Sequence, residues 1–261
     1  MALSTGLTAL FPWVVGAGLN TLLLGLAWGL PKKLLTPAGY LHAWILGVLV
    51  WGALGWQGYA VVMVYFLLGS AVTRVGMARK LAAGIAEGRS GVRGPENVWG
   101  SALVGALCAL AIVGLSVGFA AGEPAPWPQL LALAYVSSFS TKLADTTASE
   151  VGKAYGKRTF LITTLQPAPP GTEGAVSLEG TLAGLGGSLA IALVGWGVGL
   201  IPVWGIALCL VAAFIATNLE SVIGATLQTQ TPWLTNELVN IINTAIGAVL
   251  ALGLGYGWLQ R

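Results

Sequence analysis

The sequence predicts an all-α fold, a polytopic membrane helical bundle of about eight transmembrane helices within a range of seven to nine, on three observations. Of 261 residues, 56% are hydrophobic, and mean hydropathy is +0.83. Only 8% are charged, against about 25% in a soluble domain. Apolar runs of about 20 residues, enough to cross a hydrocarbon core of about 30 Å, recur along the whole chain. They fall near 7–30, 38–56, 58–75, 98–121, 128–145, 177–199, 201–219 and 236–258. Together they take up about 160 residues, so the connections are short, and residues 1–261 are expected to form a single integral membrane domain.

The first run has no basic residue before Lys32, so it lacks the charged leader of a cleaved signal peptide and is expected to be retained. Cys108 and Cys209 each lie inside an apolar run, where a thiol packs as a small hydrophobe. The thirty-eight glycines and eleven tryptophans suit close helix packing and interfacial anchoring. His42, the single histidine, sits in the second run as a packed or interfacial residue.

Orientation follows from Lys and Arg, because positive loops stay cytoplasmic. With eight spans, Lys32, Lys33, Arg74, Arg79, Lys80, Arg89, Arg93, Lys142, Lys153, Lys157 and Arg158 share one face, and Arg261 lies opposite. Eight acids gather with them, leaving Glu123 across the membrane. The expectation is a cytoplasmic active face with both termini on the other side. A net charge of +3 with acids and bases mixed gives no nucleic-acid footprint; the partner of the outer surface is the lipid bilayer.

The fifth run carries an unusual continuation, SSFSTKLADTTASEVGKAYGKR at 137–158. Continued as a helix, it places Ser138, Thr141, Asp145, Ser149 and Gly152 on one stripe and Lys142, Thr146, Glu150, Lys153 and Lys157 on the next. Ionisable groups near hydrocarbon are costly unless paired, metal-bound or facing a watery cavity. Downstream, prolines at 167, 169 and 170 forbid helix, while Gly171 and Gly174 permit a tight loop that feeds a helix opening near Ser177. A helix N-terminus of this kind is a seat for phosphate, with Thr172 and Ser177 as hydroxyl donors. Glu173 and Glu179 would repel an anion unless a divalent cation lies between.

Two further polar groups complete the face. Asn218, Glu220 and Ser221 end the seventh run, and Asn236, Asn240 and Asn243 line one side of the eighth beside Glu237. For Asn243, the deepest, interhelical hydrogen bonding is as good an explanation as a functional one. The loop 76–97, with Arg79, Lys80, Arg89 and Arg93, is explained by orientation alone. Hard oxygen ligands beside lysines suit magnesium held by a few carboxylates and substrate phosphates. The expected metal ligands are Asp145, Glu150, Glu220 and Glu237. Lys142 and Lys153 join Asp145 and Glu150 as the catalytic set. Thr141, Ser149, Gly171, Thr172, Gly174, Ser177, Asn218, Asn236 and Asn240 are expected to bind substrate. Phosphoryl transfer needs this kind of clamp more than covalent help, and no zinc spacing, P-loop or soluble-kinase motif competes. The other class is a transporter of an ion or isoprenoid phosphate. It would place polar groups near midplane and repeat its halves; here they cluster at one face.

Four ordered segments, ADTTASEVGK at 144–153, PPGTEGAVSLEGT at 169–181, ESVIGATLQ at 220–228 and NELVNIINTAIGA at 236–248, resemble the signature segments of the membrane family that includes phytyl-phosphate kinase. The resemblance implies a transferase of phytol salvage and tocopherol biosynthesis that converts phytyl monophosphate to phytyl diphosphate with Mg2+. CTP is the favoured donor and ATP the alternative. It also implies a bacterial inner or thylakoid-type membrane. The isoprenoid tail is expected between helices, where Gly184, Gly186 and Gly187 leave space.

Overall fold

In a computed structural model, residues 2–118, 126–228 and 230–261 are described, so Glu123 lies outside the described residues. The order is α1 (Ala2–Gly29), α2 (Pro37–Thr73), α3 (Met77–Ala82), α4 (Pro95–Gly118), α5 (Trp127–Tyr155), β1 (Thr159–Leu161), β2 (Ala175–Ser177), α6 (Leu178–Gly197), α7 (Val203–Ile223) and α8 (Asn236–Leu259). The polytopic helical bundle expected from the sequence is the fold observed.

Among the described residues, six helices are long and apolar enough to span a membrane by length and composition, with α2 counted once. At Gly55 the backbone leaves helical geometry (φ 63°, ψ −158°), a left-handed position that glycine alone enters without strain. The element is a hairpin. Leu35 bridges to Arg93, and Gly39 is pressed against the Arg93 carbonyl, while the Arg93 side chain lies against Gly69. Both ends of α2 therefore meet at one residue. The arms, residues 37–54 and 56–73, are each about 27 Å long at 1.5 Å per residue, sufficient for a crossing. Counting them separately and adding α5 gives the expected eight spans.

Helix α5 is absent from the apolar six because its second half is polar, yet it is the most enclosed element. It packs against α2, α4, α6, α7 and α8, and residues 130 and 132–145 are buried without interruption. Many apolar side chains of the other helices face outward, Phe11, Val14, Leu26, Trp56, Leu107, Val203 and Val249 among them, while others such as Val50, Val61 and Ile191 pack inside with Leu133, Tyr135 and Phe139 of α5. The surface offered to lipid is thus apolar, and the buried charges of α5 are enclosed within the bundle. At the end of α5 remote from its charges, Trp127 stacks on Tyr256 at 5.8 Å and Trp204 on Trp258 at 6.0 Å, an aromatic belt of the interfacial kind.

The α5–α6 contact is backbone against backbone. A Cβ on Gly180 would lie 2.6 Å from the Ala148 carbonyl oxygen, one on Gly184 2.9 Å from that of Ala144, and one on Gly187 2.7 Å from Thr147 Oγ1. This is small-residue packing. It corrects the expectation that Gly187 leaves room for an isoprenoid tail, because α5 fills that space; Gly184 meets α5 along its Cβ direction but also lines a shallow depression between α6 and α7. Gly186 alone faces open surroundings, with nothing within 4 Å. Gly184→Leu is expected to destabilise the purified protein by about 1–3 kcal/mol through overpacking, and Gly186→Leu by less than about 0.5 kcal/mol. Thermal melting in detergent checks this, and equal losses would contradict the packing.

Candidate active site

Two hydroxyls at the start of the polar stretch tie helices together: Ser137 donates to the Gly247 carbonyl of α8 at 3.0 Å and Ser140 to the Ser188 carbonyl of α6 at 3.0 Å, whereas Ser138 donates back within α5 to the Tyr135 carbonyl at 2.8 Å. Thr141, expected to bind substrate, is fully buried against Gly247 of α8. It belongs to that helix interface and lines neither polar chamber.

One turn further, the charges begin. Lys142 Nζ donates to Asp145 Oδ2 at 2.6 Å and to Asn240 Oδ1 at 2.9 Å, tying α5 to α8. Glu150 pairs instead with Lys80 of α3, which is wholly buried and also donates to the Thr73 carbonyl at 2.7 Å. Gly76, with φ 63°, lets α3 approach closely because a Cβ there would strike Ala154 of α5. That approach carries Lys80 to Glu150.

Above these pairs lie two adjoining chambers. The larger, about 320 Å3, is lined by Lys142, Asp145, Glu150, Glu220, Asn236, Glu237 and Asn240, together with Tyr65, Glu87 and Arg93. All four carboxylates expected as metal ligands therefore meet at one cavity. The smaller, about 120 Å3, lies under the loop 170–177 and includes Gly171, Thr172, Gly174, Ser177, Thr217 and Ser221. Asp145, Ser149, Lys153, Glu173 and Glu220 line both, so they form the wall where the chambers join.

The loop sequence explains its position. Gly171 and Gly174 have φ of 87° and 75°. A Cβ on Gly171 would lie 2.8 Å from Ile85, and one on Gly174 2.6 Å from the Ser221 carbonyl. Only glycine satisfies both demands at either place. The antiparallel pair β1–β2 anchors the flanks, and Ser177 caps α6 by accepting from the Gly180 N–H at 3.1 Å. Thr172 donates to the Pro169 carbonyl at 2.8 Å. Both hydroxyls thus shape the loop while facing the chamber.

Asn236 accepts from Gln228, and Asn240 from Lys142, both beside the larger chamber. Asn218 goes elsewhere: its Nδ2 donates to the Phe214 carbonyl at 2.7 Å, and it lines a shallow groove between α6 and α7. Asn243 is fully buried, and among the described residues neither of its polar atoms has a hydrogen-bond partner. The sequence reading passed over Lys80 and Arg93. Arg93 donates to the Tyr65 hydroxyl at 3.2 Å and lies over the Tyr65 and Phe66 rings at 5.4 and 5.6 Å. A run of four cations in one loop reads as topology; only the folded contacts show that two of them turn inward.

Among the described residues, no three His, Cys, Asp or Glu side chains form a cation cage by themselves. The donors at the shared wall, Asp145, Glu173 and Glu220, are all carboxylates. They fit an ion such as magnesium, which takes one or two carboxylates and completes its shell with phosphate oxygens and water. Glu150, engaged by Lys80, is the carboxylate of the four least free for that role.

Separating the Lys80–Glu150 pair tests its structural part. Lys80→Met alone leaves a buried carboxylate unpartnered and is expected to cost about 3–5 kcal/mol, most of it recovered in Lys80→Met/Glu150→Gln. Thermal melting of both variants measures the difference; equal destabilisation would contradict the pairing.

The chain is 67% identical over 244 residues to an uncharacterised membrane protein of Synechocystis, covering 94% of this chain and 92% of that one. It is 44% identical over 242 residues to the chloroplastic protein VTE6 of Arabidopsis thaliana, covering 92% and 71%. An uncharacterised membrane protein of Methanocaldococcus jannaschii is 32% identical over 226 residues, covering 85% and 86%. No solved structure matches. The model of the integral membrane protein family DUF92 matches residues 20–248, a stretch holding both chambers and the helices that build them, and the chain belongs to that family.

Proposed function

We propose that this protein is an isoprenoid-phosphate kinase that transfers the γ-phosphoryl group of a nucleoside triphosphate to phytyl monophosphate, giving phytyl diphosphate. The observation that carries the reading is the meeting of Asp145, Glu150, Glu220 and Glu237 with Lys142, Lys153 and Arg93 around a cavity that opens under the glycine loop. Membership in the family resembled by the signature segments, the one that includes phytyl-phosphate kinase, supports the same reaction class. CTP is the favoured donor and ATP the alternative.

In this reading the acceptor phosphate lies under the loop 170–177, against the wall shared by the chambers, with Lys153 at the junction. Arg93 and Lys142 face the larger chamber and receive the triphosphate. Magnesium, held by Asp145 and Glu220 with Glu173 at hand, would neutralise phosphate charge. An oxygen of the acceptor phosphate forms the new bond to the γ-phosphorus. The bond from that phosphorus to the β–γ bridging oxygen breaks, and its electron pair leaves with the nucleoside diphosphate. The attacking oxygen is already ionised, so no residue need remove a proton. The side chains orient and stabilise charge, the main requirements of phosphoryl transfer.

The mixed face of basic loops is the cytoplasmic one by the positive-inside tendency, with both termini opposite. Relatives in a cyanobacterium and a chloroplast support a bacterial inner or thylakoid-type membrane.

The test is transfer of labelled γ-phosphate from CTP or ATP to phytyl monophosphate by detergent-purified protein with magnesium. Diphosphate is expected from the wild type, and Asp145→Asn, whose amide oxygen can still accept from Lys142, should lower kcat by at least about 100-fold while the purified protein remains folded by melting. No product with either nucleotide would overturn the reaction; full activity of Asp145→Asn would overturn the placement of the metal.

A further inference from the structure

Between α6 and α7 runs a third, shallow depression of about 40 Å3. Its floor is Ala144 and Ala148 of α5, and its walls include Leu185 and Phe214. The polar side chains along it are largely turned into their own surroundings. Thr217 donates to the Ala213 carbonyl at 2.9 Å, Ser221 to that of Thr217 at 3.1 Å, and Asn218 to that of Phe214 at 2.7 Å. Ser188 is fully buried and bonded to Ser140 at 2.7 Å. Hydroxyls and amides satisfied in this way leave mainly carbon facing the groove.

Two observations fix what fits there. The groove is continuous with the loop chamber, since Ala148, Val176, Thr181, Thr217 and Ser221 line both. Phe214, in its lining, is 45% exposed, and the helices that flank it carry exposed apolar side chains as well, Leu182 at 59% on α6 and Leu219 at 43% on α7, on faces that meet lipid. A path therefore leads from hydrocarbon, between two helices, to carboxylates and a lysine. The molecule matching both ends has an apolar chain and an anionic head. With room for about three water-sized groups at about 10–15 Å3 each, the groove holds only the chain segment nearest the head.

Resting on the kinase reading above, we infer that the α6–α7 groove is the lateral entrance for the prenyl phosphate: it grips the first isoprene unit and leaves the rest of the chain in the bilayer. The enzyme then recognises the phosphate and its first branched unit and is indifferent to distal chain length. Asn218 serves this entrance and not the phosphates.

Two photoreactive phytyl monophosphates, one with a diazirine on the first isoprene unit and one with it at the chain terminus, test this without turnover. After irradiation of the purified protein in lipid nanodiscs, the proximal probe is expected to label peptides around Leu185 and Phe214, and the terminal probe to label lipid. Asn218→Trp, which narrows the groove from its partly exposed side, should reduce proximal labelling at least tenfold while leaving melting unchanged. Proximal labelling on α4 or α8, terminal labelling inside the bundle, or labelling unaffected by Asn218→Trp would each overturn the entrance. Labelling at the groove without phosphate transfer would keep the binding site and remove the kinase.

Discussion

A helix that carries four of the chain's charges within the bundle can exist in lipid only if other helices enclose it. Helix α5 imposes this on the fold. Its continuous burial from residue 132 to 145 needs neighbours on every side, and α2, α4, α6, α7 and α8 supply them. Glycines of α6 let one neighbour approach to backbone contact. A carboxylate or ammonium stranded in hydrocarbon would be expensive, so each buried one has a partner. The site is a consequence of the same packing, because the polar end of α5 carries its charges into a place other helices have already walled off from lipid.

The two ion pairs do different work. Lys80 is inaccessible and binds both Glu150 and the end of α2 through the Thr73 carbonyl, so it locks the short helix α3 onto α5. Lys142 binds Asp145 and Asn240 at the wall of the larger chamber, where the phosphates of the proposed reaction would compete for the same ammonium. A fully enclosed pair is hard to separate, whereas one bordering a polar cavity can exchange partners as charge arrives. Arg93 extends this logic: held by aromatic rings and a phenol, with no carboxylate pairing to it among the described residues, it keeps its charge for the cavity.

Much of this was legible in the sequence. Run lengths gave the spans, and the hairpin at Gly55 separates two of them near the expected break. The charges of 142–153 stood out because an apolar chain has few reasons to hold them; that the four acids meet at one cavity is visible only in the fold, since a shared face does not fix convergence. Other features depend on contacts that spacing cannot express. Lys80 and Arg93 look like orientation signals until α3 and the hairpin fold them inward. Thr141 shares a stripe with Asp145 but points at a glycine of another helix. Gly187 reads as free space and is filled by α5, while Gly184 both meets α5 and borders the α6–α7 groove, since a small residue permits either a void or a close neighbour and only the partner decides.

The most direct test of the cavity as the nucleotide site uses Ser149, an exposed residue at the wall where the chambers join. Cys209 is buried and Cys108 partly buried, so Ser149→Cys in a Cys108→Ala background gives one accessible thiol. In vesicles of known orientation, a membrane-impermeant maleimide should label it only from the side that labels Lys157→Cys. Magnesium with CTP or ATP should slow that labelling. Reaction from the opposite side, or at a rate that nucleotide leaves unchanged, would contradict a phosphate-binding cavity on the basic face.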